Sequence, residues 1–374
     1  MLEIKPHKSI SEIDPSAWRR LQRCDYPFLR YEFLQALEQS GSVSEESGWQ
    51  PCHLELIEQG ETMLFLPLYL KYHSWGEYVF DHSWADAYQR SGLNYYPKLL
   101  SAIPFTPATG PRWLSQLNDD DALTNILTAI QQFAKEYSLN SWHMLFPDTT
   151  HNSEAHPHLL ERSGVQYQWF NKGYENFDDF LARLTSRKRK EIKKERAKSE
   201  AFTFKQLNGS SITPLQCKQF YELYSLTYLK RGRNPYLDEG FFETLINTLP
   251  EQMLFVLVYL EDTLVAGALS FHDSTTLYGR YWGCYEEYDS LHFETCYYQG
   301  IDFCIQNKLA RFDSGAQGEH KIKRGFEPVT THSLHWIAHP GFNDAIAQFC
   351  HEEREYLDEQ KLRLAELLPF KNEL

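Results

Sequence analysis

"MLFVLVYLEDTLVAGALSFH" (253–272) sets two apolar runs on either side of the acidic turn EDT. Short apolar runs bounded by turn residues are typical of buried β-strands. The pattern therefore predicts strands over 253–260 and 264–272, and TTLYGRYWGC (275–284) predicts a third. Together the three strands are expected to form an antiparallel meander.

A helix and a further strand follow this meander. The segment SLHFETCYYQGIDFCIQNK (290–308) carries apolar residues at helical spacing, and LARFD (309–313) is typical of a short strand. Strand, helix and strand in this order predict a right-handed parallel crossover. Ligands in open α/β sheets bind beyond the C-terminal ends of such strands. Those ends meet glycines, Gly283 on one strand and Gly315 and Gly318 on the other, so we expect a site there.

The first half of the chain repeats this order of predicted strands and helix with a different amino-acid sequence. PCHLELIE (51–58) and TMLFLPLYLK (62–71) predict strands, residues 121–138 predict an amphipathic helix, and SWHMLFP (141–147) predicts the strand after it. A duplicated fold is therefore expected.

The repeat predicts an α/β (α+β) chain of two similar domains, 1–170 and 171–374. Each is expected to hold a mixed, mostly antiparallel sheet flanked by helices. Two more helices are predicted in the second domain: a long basic one over 177–200 and an amphipathic C-terminal one over 342–368.

Charge is distributed unevenly along the chain. The 374 residues carry a net charge of −14, yet SRKRKEIKKERAK (186–198) has eight Lys or Arg against two Glu, a net +6, which leaves −20 for the remainder. A single basic segment on an acidic body favours a local contact with an anion over general coating of nucleic acid, although a solvated helix face is the alternative. The candidate anion-binding residues are Lys188, Arg189, Lys193 and Lys194.

The sequence also indicates a location for the protein. No run of about 18 uncharged apolar residues is present, so no membrane span is expected. The first residues lack the apolar region of a secretory signal. The seven cysteines are scattered without CxxC pairs, which fits a reducing compartment. We therefore expect a cytoplasmic protein.

Five segments together resemble a known family: 84–112, 186–196, LYGRYWGC (277–284), LHFETCYYQGIDF (291–303) and GAQGEHKIKRGFEP (315–328). The meander with its crossover helix resembles the GNAT acyltransferase fold, whose parallel pair is splayed. Two such copies with a basic helical insertion resemble the Fem-type peptidoglycan aminoacyltransferases, and above all the bacterial FemAB-like group of peptidoglycan biosynthesis or recognition proteins.

This resemblance implies a tandem-GNAT transferase with no bound cofactor that moves an aminoacyl group from aminoacyl-tRNA to an amine of a cell-wall precursor. In Fem enzymes a lysine in an aromatic-Lys-x-Gly-Phe element assists transfer. Ile322-Lys323-Arg324-Gly325-Phe326 matches that element, with isoleucine in place of the aromatic residue, and so implies a catalytic role for Lys323.

Two other functions stay open. The first is an acyl-CoA-dependent N-acyltransferase of the same fold. GCYEEYDSLHFE (283–294) disfavours it, because the segment is acidic and lacks the glycines that a pyrophosphate-binding loop needs. The second is a binding protein without activity for an anionic cell-wall precursor or RNA. The acyl group, the acceptor and the oligomeric state are left open.

The stretch 315–329 supplies most of the candidate site. Lys321, Lys323 and Arg324 form either a solvated basic turn or a site for negative charge, in which Lys323 stabilises an oxyanion and Arg324 binds a phosphate or carboxylate. Glu319 and His320 are either a general acid–base pair or a capping glutamate beside a surface histidine.

The crossover helix and the strand before it add further candidates. His292 and Glu294 begin the helix and are expected to face the cleft. Glu294, Tyr298 and Asp302 form a polar stripe that is either the solvent face or a site for the acceptor amine. Arg280 and Tyr281 lie on the strand beside the cleft, and Arg280 needs an anionic partner if it is buried.

In the first half, Pro- and Gly-rich loops gather aromatic and charged residues that are either a binding surface or packed loops: Asp86, Tyr96, Lys98 and Arg112. HNSEAHPH (151–158) is rich in histidine, but without a cysteine or a third fixed ligand we predict no metal site there.

Overall fold

The computed structural model describes residues 2–149, 155–316 and 318–371. The chain folds into two compact units: unit 1 is Met1–Gly164 with Thr330–Asp358, and unit 2 is Val165–Val329 with Glu359–Leu374. The division near 164 lies close to the boundary predicted at 170. The chain, however, returns to unit 1 after unit 2, so residues 330–358 do not belong with the second half as predicted.

The strands are β1 Glu3–His7, β2 Trp49–Pro51, β3 His53–Glu58, β4 Glu61–Leu66, β5 Tyr69–Lys71, β6 Lys98–Ser101, β7 Leu114–Ser115, β8 Ser141–Leu145, β9 Leu160–Phe170, β10 Phe202–Asn208, β11 Met253–Leu260, β12 Thr263–His272, β13 Thr276–Cys284, β14 Arg311–Asp313 and β15 Glu327–Ile337.

The α-helices are α1 Pro15–Leu21, α2 Tyr31–Gln39, α3 His82–Arg90, α4 Asp119–Tyr137, α5 Phe177–Arg183, α6 Ser186–Ala197, α7 Pro214–Leu229, α8 Glu239–Thr248, α9 Leu291–Phe293, α10 Gln299–Gln306 and α11 Pro340–Glu366. A π-helical turn, Glu294–Tyr298, joins α9 to α10, and a 3₁₀ helix spans Glu319–Arg324.

Unit 1 contains a sheet of order β1-β3-β4-β7 and a run of strands in the order β15-β8-β6-β5-β2. β6 and β8 are parallel and α4 connects them, whereas their other neighbours pair antiparallel. The side chain of Asn118 caps the start of α4, and a left-handed Ser138 ends it. The apolar face of α4 packs into a core with residues such as Leu54 and Trp142.

Unit 2 orders its strands β10-β11-β12-β13-β14-β9. The meander predicted from 253–284 is present, and β13 pairs parallel with β14 through Thr276–Tyr278 and Arg311–Asp313. β13 then continues to Cys284 while β14 ends at Asp313, so the pair opens beyond Tyr278. α9, the π turn and α10 form the crossover and pack on Phe312 in the core of the unit.

Each unit thus contains a parallel pair joined by a helical crossover within a mostly antiparallel sheet, which confirms the predicted fold class and the repeated order of elements. Within the described part of the chain, no helix is both long enough and apolar enough to cross a membrane.

The basic helix differs from its prediction, because 177–200 is two helices, α5 and α6. The break falls at Leu184, which is extended and fully buried, and the N–H of Thr185 donates to the carbonyl of Pro369. Burial of one leucine and a bond to a distant segment therefore stop a helix that local propensity would continue.

Candidate functional site

A cavity of about 110 Å³ lies in unit 2 where β13 and β14 have opened. β12, β13, the crossover helix and the residue after β14 all contribute to its wall. The lining residues are Ala268, Leu269, Ser270, Gly279, Arg280, Tyr281, Trp282, His292, Cys296, Tyr297 and Ser314. The cavity lies where a site was predicted, beyond the ends of the parallel strands.

Buried charge gathers at the β14 end of this cavity. The guanidinium of Arg280 lies 3.6 Å from the carboxylate of Asp313, with the two side chains only 2% and 1% exposed. The ammonium of the buried Lys321 donates to the carbonyls of Ser314, at 3.0 Å, and Gly315, at 2.9 Å. Burial lowers the pKa of Lys321 to about 8, with Asp313 opposing the change and Arg280 adding to it. Among the described residues at this end of the cavity, these two cations lie near one carboxylate at neutral pH, so positive charge is in excess.

His292 lies on the cavity wall as a neutral imidazole. Burial, together with the charges of His320, Arg324 and Lys321, lowers its pKa to about 4. Its ring packs edge-on against Trp282 and Tyr297, at centroid separations of 5.3 and 5.4 Å. A neutral imidazole can accept one hydrogen bond and donate another.

His320 is exposed, and its Nε2 lies 2.9 Å from the hydroxyl of Tyr297 on the cavity wall. Partial desolvation lowers the pKa of His320, and the charges of Arg324 and Lys321 act in the same direction. Glu319 is exposed at the start of the 3₁₀ helix. Both residues are exposed, as in the alternative of a capping glutamate beside a surface histidine, and His320 contacts Tyr297.

The 3₁₀ helix decides which base of the segment faces inward. With three residues per turn, Lys321 and Arg324 share a face, and both are buried. Lys323 lies on the other face and is exposed, outside the cavity wall. The prediction that Lys323 is the lysine of the cleft is thus corrected: Lys321 is the lysine whose ammonium contacts a residue of the cavity wall, through the carbonyl of Ser314.

Arg324 was a candidate to bind a phosphate or carboxylate of the substrate, but its guanidinium is committed to other groups of the protein. Its Nε and Nη2 atoms donate to the two carboxylate oxygens of Glu195 at 3.2 and 2.7 Å, and its Nη1 atom donates to the carbonyl of His320 at 2.9 Å. The bidentate geometry is that expected for an arginine, but the partner is a side chain of α6.

The polar stripe of the crossover helix has a third role that neither predicted alternative covers. Arg196 of α6 donates to Glu294 at 3.0 and 3.1 Å and to Asp302 at 2.8 Å, and the hydroxyl of Tyr298 donates to Glu195. The stripe therefore packs against α6 instead of facing solvent or the cavity. Burial raises the pKa of Glu294 despite the opposing charge of Arg196.

The candidates of unit 1 are mostly interior. The ammonium of Lys98 donates to Ser74 at 2.9 Å, to Glu77 at 2.7 Å and to Asp81, and the hydroxyl of Tyr96 lies 2.8 Å from Ser74. These bonds anchor packed loops, which was the alternative to a binding surface.

Two more predicted residues of unit 1 lie elsewhere. Asp86 is exposed on α3. Arg112 is buried and donates to the carbonyls of Ala108, Gly110, Pro111 and Leu145. Its N–H groups are thus committed to the chain itself, so Arg112 is not available to a substrate as predicted.

The basic helix α6 is paired internally only in part. Lys188 donates to Glu191 at 2.7 Å, and Lys193 lies 3.3 Å from Asp178. Lys194 is exposed and Arg189 is half-buried. Exposed charges that form weak pairs can exchange them for a bound anion at little cost.

In residues 2–149, 155–316 and 318–371, no group of three or more His, Cys, Asp or Glu is arranged to hold a metal ion. Of the histidine-rich stretch 151–158, residues 151–154 lie outside the described residues.

Sequence reasoning missed Cys296, Tyr297, Trp282 and Ser314 as cavity residues. The first two were interpreted as the apolar face of a regular helix. The π turn widens the helix by one residue per turn and changes which side chains share a face. No residue pattern identifies such a turn, although Ser314 was identifiable from its place just after a parallel strand.

Two units of this topology define a tandem GNAT-like protein, and comparison with solved structures agrees. FemX is similar over 93% of this chain and 99% of its own, at 12% identity and a TM-score of 0.55. The C-terminal domain (DUF2156) of a putative lysylphosphatidylglycerol synthetase from Agrobacterium fabrum covers 93% and 97%, at 9% identity and a TM-score of 0.52. Identities this low show a shared fold alone.

The sequence itself matches the FemAB-like family, described as peptidoglycan biosynthesis/recognition, over residues 9–372. The chain therefore belongs to that family, and the family resemblance seen in its motifs is confirmed. No curated protein matches the sequence.

Proposed function

We propose that the protein transfers an acyl or aminoacyl group to an amine, and that the reaction takes place in the cavity of unit 2. The observation that carries the proposal is the excess buried positive charge of Arg280 and Lys321 over Asp313, next to the neutral imidazole of His292. Membership of the FemAB-like family supports it.

The residues suit the steps of acyl transfer. The amine nitrogen attacks the carbonyl carbon of an ester or thioester, the new C–N bond forms, and the carbonyl oxygen becomes negative. Positive charge fixed in a site of low dielectric stabilises that oxygen, an effect that can contribute several kcal/mol. His292 accepts a hydrogen bond from the amine and orients it. The C–O or C–S bond then breaks, and the proton of the amine passes to the leaving group.

We favour aminoacyl-tRNA over acyl-CoA as the donor. The loop between β13 and α9 carries Glu286, Glu287 and Asp289, of which only Asp289 has a basic partner in the described part of the chain, Lys198. Acidic side chains at this point repel a pyrophosphate. The exposed bases of α6 offer a surface for nucleic-acid phosphates. Both donors are made in the cytoplasm, so we place the activity there, with an amine of a peptidoglycan precursor as the acceptor.

A direct assay separates the candidate functions. Purified protein would be incubated with charged tRNAs or with acyl-CoAs, together with amine acceptors that include peptidoglycan precursors, and the products would be identified by mass spectrometry. Transfer from tRNA supports the proposal, and transfer from acyl-CoA alone selects the N-acyltransferase alternative. Binding of a precursor or RNA without transfer from any donor would overturn the proposal in favour of a binding protein.

The cavity itself is tested with Arg280→Met. We expect this variant to lose transfer at least tenfold, because a fixed positive charge beside the carbonyl oxygen is removed. Arg363→Met, which removes an arginine of unit 2 that is 68% exposed and lies outside α6, serves as the control for the loss of an arginine. Equal activity of the two variants would place the reaction elsewhere.

A further inference from the structure

One carboxylate of α6, Glu195, joins three elements of unit 2. It accepts two hydrogen bonds from Arg324 of the 3₁₀ helix and one from the hydroxyl of Tyr298 in the π turn. Arg324 in turn donates to the carbonyl of His320, and its guanidinium lies 3.4 Å from the centre of the Phe293 ring. A planar guanidinium suits this combination of bidentate pairing and stacking, whereas an ammonium does not.

The next residue of α6, Arg196, makes the opposite pair. It binds Glu294 and Asp302 of the crossover helix, and its guanidinium lies 4.2 Å from the centre of the Phe177 ring. The acidic Glu195 thus meets a basic partner, and the basic Arg196 next to it meets acidic partners. A shift of α6 by one residue would bring like charges together, so the two pairs fix its register against the crossover helix.

The same contacts reach the cavity wall. Phe293, on which Arg324 stacks, directly follows His292 in α9. His320, whose carbonyl Arg324 binds, holds the hydroxyl of Tyr297. The guanidinium of Arg324 is therefore linked to two residues of the wall, to His292 through the neighbouring Phe293 and to Tyr297 through His320.

A role in stability alone does not account for this arrangement. Removing charged groups from water costs much of what their pairing gains, and apolar residues of similar size often stabilise a protein as well. What a bidentate and stacked pair with a buried arginine supplies is a fixed geometry. The pair sits where two different segments, 291–298 and 319–324, must be held together around a small cavity.

We infer that Glu195 and Arg324 are positioning residues that set the orientation of His292 and Tyr297 for acyl transfer. The inference rests on the proposed function for its role in turnover. Glu195 and Arg324 do not touch the substrate; they act through the wall residues. The basic helix is thus a structural part of the cavity as well as a charged surface.

The test compares Glu195→Gln with Glu359→Gln. The control has the same substitution in a Glu–Arg pair of unit 2, with Arg363 at 3.0 Å, but that glutamate side chain is 72% exposed. In Glu195→Gln we expect kcat to fall at least tenfold while the KM for the acceptor changes less than threefold, because orientation and not binding is lost. Glu359→Gln should match the wild type in both constants.

Two further variants keep the inference falsifiable. Arg324→Lys retains the positive charge but not the planar, two-pronged guanidinium. Its fall in log kcat should be at least half of the fall in Glu195→Gln. In the double variant Glu195→Gln/Arg324→Gln, kcat should be little lower than in the worse of the two single variants, Glu195→Gln and Arg324→Gln, because the two side chains act as one unit. Wild-type kcat in a folded Glu195→Gln, or additive losses in the double variant, would overturn the inference.

Hydrogen exchange separates this inference from the proposed function. If the wild type transfers no group from any donor, the proposed function fails. The amides of 291–298 and 319–325 should nevertheless exchange at least tenfold faster in Glu195→Gln than in Glu359→Gln, because the segments are no longer held. Equal exchange in the two variants would overturn the inference about positioning itself.

Discussion

Lys98→Met tests the buried ion cluster of unit 1. The side chain of Lys98 is 0% exposed, and its ammonium binds the carboxylates of Glu77 and Asp81, which are themselves almost fully buried. Methionine keeps the volume of the side chain but, among the residues that the structure describes, leaves the two carboxylates with only the ammonium of Lys71, 3.9 Å from Glu77, to compensate them. Breaking a buried pair in this way costs about 3–5 kcal/mol. We expect a loss of that size in the free energy of unfolding, measured by urea denaturation.

The control is Arg19→Met, which removes an arginine that is 58% exposed and paired with Glu32 at 2.8 Å. An exposed pair contributes about 1 kcal/mol or less, so this variant should unfold almost as the wild type does. If Lys98→Met lost less than about 1 kcal/mol, the cluster would not be a structural anchor.

The pH dependence gives the sign of the same effect. Burial already raises the pKa of Glu77 to about 7, and loss of Lys98 removes an attraction that opposes this rise. A carboxyl with a pKa raised in the folded state binds protons that the unfolded chain does not, so stability falls as the pH rises through that window. The penalty of Lys98→Met should therefore be larger at pH 8 than at pH 5. A larger penalty at pH 5 would show that the lost stability does not come from orphaned carboxylates.

Three further predictions follow from unit 2. Lys321→Met should lower turnover about tenfold to a hundredfold and raise the pKa of His292, as read by NMR titration. Substitution of the exposed residue, Lys323→Met, should change turnover less than twofold. A larger loss of turnover in Lys323→Met than in Lys321→Met would restore Lys323 to the mechanism. Gly283→Ala places a Cβ atom 1.9 Å from the carbonyl oxygen of Leu223 and should cost about 2–3 kcal/mol in urea denaturation, while Gly341→Ala, with its nearest neighbour at 3.4 Å, should not. The third variant replaces four bases of α6 by Gln: Lys188, Arg189, Lys193 and Lys194. It should bind bulk tRNA more weakly in anisotropy assays, with a shallower salt dependence and nearly unchanged thermal stability. Unchanged affinity at every salt concentration would show that the helix is only a solvated face.

The meander of unit 2 could be predicted almost to the residue because its limits are local. Acidic turn residues separate apolar runs, and the strands begin and end where those runs do. The end of α5 could not be predicted in the same way. Nothing in the local sequence stops the helix at Leu184; its burial and the bond from Thr185 to Pro369 do, and both depend on the folded unit.

The cavity was predictable in place but not in detail. A parallel crossover ending in glycines located the cavity, since that rule concerns topology. Which lysine faces inward depends on the phase of a short 3₁₀ helix, and a shift of two residues exchanges Lys321 for Lys323. The partner of Arg324 is 129 residues away in the sequence, so no local pattern could show that Glu195 takes the place expected for a substrate anion.

Each unit contains a parallel pair joined by a helical crossover, and the space beyond the C-terminal end of the pair is used differently in the two units. In unit 1 the guanidinium of Arg112 occupies this position and donates to the carbonyl of Leu145, the last residue of β8, at 2.6 Å. It also donates to carbonyls of the loop before it, so a ligand could replace it only by leaving several buried carbonyls without donors. In unit 2 the corresponding space is a cavity, and the cations beside it, Arg280 and Lys321, outnumber the carboxylate of Asp313. The strand end of unit 2 therefore offers both room for an acyl carbonyl and charge to stabilise its oxyanion, which is why we propose the reaction there.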